Sequence, residues 1–288
     1  MPKSRGRRPK RPDIGGSRGR GTPGSYDPGV LRGSTDQLAT LLERATPEVL
    51  PVLLLPLLWT TMAHGQRGNV CIDASAIVHH AYAQFGIASR LMPVSLVVHD
   101  PVGRATSFGT TRPYWDNGGT FVGHVVLWLP DSQRLVDTTA EQFPPIRRLK
   151  LGPVAGRPPA VSDTANATPL LDRQFVVPRG DLLIEYGAVD PDRVGVLDEV
   201  PLLADHREAH RRAGINLATQ ALEALRSPLV VHRTRQTPYG RLVALIAAIG
   251  DAPAQVDAAA GDWLIMLPDG RGGAAATRLD EVPLPADL

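Results

Sequence analysis

Residues 71–85, CIDASAIVHHAYAQF, and residues 123–139, GHVVLWLPDSQRLVDTT, decide the fold class of this chain. The first stretch is rich in alanine, free of proline and glycine, and apolar at almost every turn. That pattern predicts a central, buried helix. Asn69 stands where an N-cap belongs, and Gly86 where a left-handed C-terminal stop belongs. The second stretch reads as two strands joined by a turn at residues 130–133, whose Pro-Asp-Ser-Gln composition favours chain reversal. Pairing about the centre of that turn sets residue 124 opposite 139, which leaves Asp137 a near neighbour of His124. Residues 91–98 have strand composition, and residues 99–121 read as a long polar loop with two glycine-rich passages. A helix followed by antiparallel strands makes the chain α+β.

The same stretches carry chemistry. A helix starting near residue 70 places Cys71 in its first turn, where unpaired N–H groups and the helix dipole favour a thiolate. A thiol at a helix start, a histidine on one strand and a carboxylate on the next form the set needed for nucleophilic thiol catalysis. The histidine takes the thiol proton, and the carboxylate fixes its tautomer and stabilises the imidazolium. Asp73 reads as a first-turn carboxylate, and His79 and His80 as packing or surface residues. Cys71 is the one cysteine of the chain, which excludes an intrachain disulfide framework and any multi-cysteine zinc site. His206 and His210 are four apart on a predicted helix, a chelating spacing. Arg207, however, occupies the position where the zinc-protease motif needs glutamate. That helix face reads as solvated, and no metal is expected.

Taken together, Cys71-Ile-Asp73-Ala-Ser, Gly86-Ile-Ala-Ser-Arg90, Gly-His124 ahead of an apolar strand, and Leu-Val-Asp137-Thr-Thr resemble the transglutaminase-like branch of the papain-fold cysteine enzymes. The resemblance covers about residues 65–145. Val125 and Val126 stand where members often carry an aromatic residue, and Thr138 where many have proline. Residues 137–143, DTTAEQF, are similar to papain-fold deamidase-like and peptidase-like proteins as well. The resemblance implies a papain-like core of N-terminal helices packed on an antiparallel sheet, with Cys71, His124 and Asp137 as the catalytic set. It also makes Gln66, five residues before Cys71, a candidate oxyanion donor beside the Cys71 backbone N–H. It implies no cofactor, and a peptide or protein amide as substrate. Such folds host hydrolysis, deamidation and acyl transfer alike. The alternative is a non-catalytic interaction protein that has kept the fold.

Outward from this core the sequence divides into four parts: an arm (1–30), the catalytic core (31–145), a wrap or linker with a possible added strand (146–200) and an accessory α+β region (201–288). The arm holds eight Lys/Arg against Asp13 and Asp27, so the remaining chain carries 23 basic and 27 acidic residues. A glycine-, proline- and arginine-rich segment of this kind buries too little apolar surface to offset chain entropy, and it is expected to be disordered. No apolar run follows its charges, so it is not read as a secretory signal, and a cytoplasmic location is expected. Ser34 reads as the N-cap of a first helix, and residues 49–59 as a buried helix or pair of helical turns, too short and too proline-interrupted to span a bilayer. Further on, residues 181–186 read as a strand able to join the sheet, and residues 202–226 as one long amphipathic helix. Another helix is expected with Thr237 as cap and Gly250 as stop, and residues 263–270 read as a strand and turn.

The charge division predicts that polyanion binding resides in residues 1–29. Deleting them should abolish salt-sensitive binding to nucleic acid while leaving Cys71 reactivity intact. An equal salt slope in the shortened protein would locate a basic surface on the folded body instead.

Overall fold

The structure is a computed structural model of the whole chain and describes residues 50–52, 54–55, 58, 70–158 and 174–285. The arm, the helix expected after Ser34, and both Gln66 and Asn69 lie outside the described residues. Helix α1 (Cys71–Gln84) is followed by β1 (Arg90–His99), β2 (Ala105–Ser107), β3 (Tyr114–Trp115), β4 (Phe121–Val122), β5 (His124–Leu129), β6 (Arg134–Asp137), α2 (Pro144–Arg147) and β7 (Val154–Gly156). Then come β8 (Phe175–Arg179), β9 (Leu182–Gly187), α3 (Leu202–Asp205), α4 (Arg207–Leu225), α5 (Pro228–Thr234) and α6 (Gly240–Ile249). A small antiparallel sheet of β10 (Ala254–Asp257), β11 (Asp262–Pro268) and β12 (Ala274–Thr277) follows, and a short helical turn at Leu279–Glu281 comes after it.

Strand β1 is the axis of the main sheet. Its first half pairs with β5, from Arg90 opposite Trp128 to Val94 opposite His124. Its second half pairs with β9 and, through residues 97–99, with β2. The strand order is β7-β6-β5-β1-β9-β8 with every neighbour antiparallel. The two edges meet. Arg179 of β8 donates to the carbonyls of Leu151, Gly152 and Pro153 just before β7. The Phe175 ring lies against Gly156 of β7, where a Cβ would collide with it. The sheet is therefore a nearly closed barrel.

Period-two alternation sorts the side chains. Met92, Val94, Leu96 and Val98 of β1, Val126 and Trp128 of β5, and Leu135 of β6 fill the interior with Ile184 and Tyr186. Leu127, Leu129 and Val136 face outward onto Val78, Ala81, Tyr82 and Phe85 of α1 and onto Ile215, Ala218, Leu222 and Leu225 of α4. Leu50, Leu54, Leu55 and Leu58, all helical, are buried in the same cluster, and the Tyr82 hydroxyl donates to the Pro51 carbonyl at 2.8 Å. Helices α1 and α4 pack closely because residue 214 is glycine. A Cβ there would stand 2.5 Å from the His80 Cβ and 2.8 Å from the Ile77 carbonyl oxygen.

Several expectations need correction. The residue before α1 is Val70, with no side-chain cap, so the expected cap at Asn69 has no described counterpart. The C-terminal stop holds: Gly86 has φ +71°, its N–H reaches the Ala83 carbonyl, and the Ile87 N–H reaches that of Tyr82. Residues 99–121 are not all loop, since they contain β2, β3 and the start of β4. The long helix breaks at His206 into α3 and α4. Thr237 does not cap α6, because its hydroxyl donates to the Thr234 carbonyl behind it, and the helix starts only after Tyr239. The stretch 146–158, expected to wrap, supplies the end of α2 and all of β7. The strand expected at 181–186 is β9, and it does join the sheet.

Gly214→Ala should destabilise the protein by about 1–3 kcal/mol through overpacking between α1 and α4. Gly195→Ala, where a Cβ meets nothing within 4 Å, serves as the control and should be close to neutral. Urea unfolding midpoints at constant m-value measure both.

Candidate active site

The β5–β6 register sets Leu127 opposite Val136 and Leu129 opposite Arg134, the pairing expected about the turn centre. Carried past the ladder to the start of β5, it faces 124 towards 139. His124 and Asp137 thus fall on the interior face of adjacent strands, both fully buried. Their side chains meet: His124 Nε2 lies 2.7 Å from Asp137 Oδ2. The carboxylate's other bonds come from the Tyr186 hydroxyl at 2.9 Å on Oδ2, and from the Thr139 N–H at 2.9 Å and hydroxyl at 3.4 Å on Oδ1. A buried carboxylate with this many donors is stabilised as the anion.

The Tyr186 bond depends on the barrel. Tyr186 sits on β9, and β5 and β1 stand between that strand and β6. In a flat sheet the two backbones would be about 14 Å apart at ~4.8 Å per strand. Curling of the sheet brings the phenol across the interior to the carboxylate.

Because Asp137 only accepts, it fixes the hydrogen of the neutral imidazole on Nε2, which leaves the Nδ1 lone pair for other partners. The Gln142 side-chain amide lies 3.2 Å from Nδ1, and the Cys71 thiol interacts with the same ring and favours its charged form. The Phe143 ring packs edge-on to the imidazole at 5.0 Å between centroids. Burial disfavours the imidazolium, but the Asp137 carboxylate and the contact with Cys71 outweigh it, and His124 is raised well above the ordinary histidine range. Burial works against the Asp137 anion as well. His124, Thr139 and Tyr186 overcome that cost, and Asp137 titrates below its ordinary range. Burial and the adjacent carboxylate hold Tyr186 protonated far above the usual tyrosine range, so it remains a donor.

Cys71 opens α1 and packs with Ile72, Val125, Val196 and Leu197. Only 7% of its surface is exposed. Its cover comes from two loops. Trp115 and Phe121 of the β3–β4 hairpin pack against the cluster, and the Trp115 indole donates to the Val196 carbonyl at 2.8 Å. Arg112 holds Asp190 and Asp192, and Arg193 donates to the Pro113 carbonyl, so the two loops are tied together.

The structure therefore brings Cys71, His124 and Asp137 together, while the fourth predicted residue, Gln66, lies outside the described residues. Sequence reasoning misses Tyr186, Thr139 and Gln142. Gln142 lies within the DTTAEQF stretch quoted above, but nothing local marks its amide, and Tyr186 gives no sequence signal that it spans the barrel. The face of α4 expected to be solvated is not so at His210, which is buried and hydrogen-bonded to Asp73 of α1 at 2.9 Å. His79 bonds Ser89, and burial together with neighbouring positive charge lowers His80 to about 4, so both remain neutral packing residues.

Among the described residues no helix is long and apolar enough to cross a membrane. Comparison with protein-family models, curated proteins and solved structures gives no match to this chain.

The buried pair predicts a two-sided pH dependence of stability. Asp137 is depressed, so its contribution is present above the ordinary carboxylate value of 3.8 and is lost as pH falls through its lowered value. His124 is raised, so its contribution is full below 6.5 and is lost as pH climbs through the raised value. Melting temperatures should be flat between these limits and fall on both sides. Asp137→Ala, which strands a buried imidazole, should cost about 3–5 kcal/mol. Tyr186→Phe should cost about 1.5–3 kcal/mol, the range for a hydrogen bond to a charged group.

Proposed function

We propose that this protein is a papain-like, transglutaminase-like thiol enzyme that acts on an amide or peptide carbonyl through a thioester. The observation that carries this reading is the buried Asp137–His124 pair beside the Cys71 thiol at a helix start. An Asp-held imidazole of raised basicity is what removal of a thiol proton requires.

His124 Nδ1 accepts the Cys71 proton and the sulfur attacks the carbonyl carbon, leaving a tetrahedral oxyanion. The first N–H groups of α1, including that of Cys71, have no partner within the helix, and donors of this kind stabilise such an oxyanion. The imidazolium then protonates the leaving nitrogen, the C–N bond breaks, and a thioester remains. Water or a second amine, activated by the same imidazole, attacks that thioester and releases the thiol. Water gives hydrolysis or deamidation and an amine gives acyl transfer. A substrate must displace or pass the Trp115–Val196 cover to reach the sulfur. The near-burial of that sulfur also favours a second reading, in which the fold is kept for binding alone.

Alkylation by iodoacetamide followed against pH separates the two. The pH profile is diagnostic even where the cover slows access. In the enzyme reading, Cys71 of the wild-type protein keeps reacting well below the pH at which a free cysteine stops. His124→Ala should shift the profile up to that of a free thiol and lower turnover on a reactive amide probe by about 10³-fold or more. Asp137→Asn should shift both in the same direction by less, and Cys71→Ala should abolish labelling. A His124→Ala profile identical to wild type would remove His124 from the site and leave the binding reading.

A further inference from the structure

On the far side of α1 from the barrel, a second group of chemistry-bearing side chains is assembled from two helices. Asp73 lies in the first turn of α1, His206 is the residue just before α4, and His210 lies one turn into it. One nitrogen from each histidine and one oxygen from Asp73 all lie within 4.8 Å of one another. We propose that Asp73, His206 and His210 form a binding site for a single divalent transition-metal ion of the zinc class.

The donor chemistry selects the ion. Two neutral imidazoles and one carboxylate suit Zn(II), whereas Mg(II) and Ca(II) prefer all-oxygen shells. Three protein ligands leave a fourth position for water. In a tetrahedral site with metal–ligand bonds of about 2.0–2.2 Å, the ligand atoms stand about 3.3 Å apart. Asp73 Oδ1 and His210 Nε2 are already 2.9 Å apart, so they separate slightly to admit an ion. The remaining closure falls to His206, whose exposed ring meets that of His210 edge-on at 5.9 Å between centroids. Rotating a surface side chain costs little, so most of the site is formed in advance.

Burial supports the site. The His210 side chain is only 7% exposed, held at the α1–α4 contact, while that of Asp73 is 50% exposed and leaves a path for the ion. The local field is mixed. Arg207 and the N-terminus of α4 oppose a cation. Arg211 is engaged by Glu208 and Asp280, and the exposed Asp205 adds negative charge beside His206. The sequence offered only the pair four residues apart with arginine between. Packing of α1 on α4 supplies the third ligand, from a position 133 residues before His206. The site is separate from the thiol centre, so its occupation does not depend on catalysis.

The test uses the full chain carrying Cys71→Ser, which removes the thiol as a competing metal ligand. After chelator treatment, Zn(II) alone is titrated in competition with a chromogenic chelator, and Co(II) in a parallel titration reports geometry through its visible absorption. One equivalent should bind, and Co(II) should give the intense bands of a four-coordinate site. Adding His206→Ala should weaken Zn(II) by about tenfold or more, and His210→Ala or Asp73→Asn by about 100-fold, with those bands lost. His206 is exposed, so His206→Ala keeps the test valid even if His210→Ala fails to fold. Equal Zn(II) affinity in the Cys71→Ser protein and its His206→Ala derivative would overturn the proposal, as would octahedral Co(II) absorption in both.

Discussion

A carboxylate with no solvent exposure has to be surrounded by donors, and the arrangement around Asp137 follows from that requirement. Leaving a charge of this kind unpaired in a protein interior costs several kcal/mol. His124, Tyr186 and Thr139 meet the demand from three directions: the neighbouring strand, the opposite wall of the barrel, and the turn that follows β6. Each donor constrains a different element. The register of β5 on β6 is fixed because a one-residue slip would move His124 to the outer face. The curvature of the sheet is fixed because Tyr186 must reach across it. The turn at Thr139 is fixed by its N–H, and it carries Gln142 and Phe143 to the imidazole.

From this pair the site extends outward through the wall of the barrel. His124 belongs to the interior, while Cys71 belongs to the helix packed on the exterior beside Val125. The two come together at the start of β5, whose first residue is His124. Gly109 has a part in keeping that end compact: a Cβ there would stand 2.8 Å from the Leu96 nitrogen and 3.2 Å from the His124 Cβ. The chain can thus hold a buried charge with its histidine beside a thiol that belongs to the helix outside the barrel.

Helix α1 faces three ways. Val78, Ala81, Tyr82 and Phe85 pack onto the sheet, the Cys71 end meets His124, and the Asp73–His80 flank lies against α4. A helix in contact on so many sides must be apolar or small almost all round, and its alanine-rich sequence meets that condition. Three of the polar residues on it, Ser75, His79 and Asp73, find partners in Val125, Ser89 and His210.

Features that depend on near neighbours along the chain were legible in the amino-acid order alone. Composition and period located α1, β1 and the β5–β6 hairpin. The turn at residues 130–133 set the register, and Gly86 marked the helix stop. From these came the juxtaposition of His124 and Asp137, since hairpin register is a local property. Local chemistry misleads where a residue has a choice of partner: Thr237 stands where a helix cap belongs, yet its hydroxyl bonds the Thr234 carbonyl behind it. Everything joined by long loops or across the barrel was decided by packing. The Tyr186 bond spans 49 residues and the Asp73–His210 bond 137, and no periodicity encodes contacts at such separations. Burial of Cys71 beneath the Trp115–Val196 cover, and the change of His210 from surface residue to interior one, arise only when whole elements pack together. Propensity acts along the chain, whereas desolvation and hydrogen-bond satisfaction act in space.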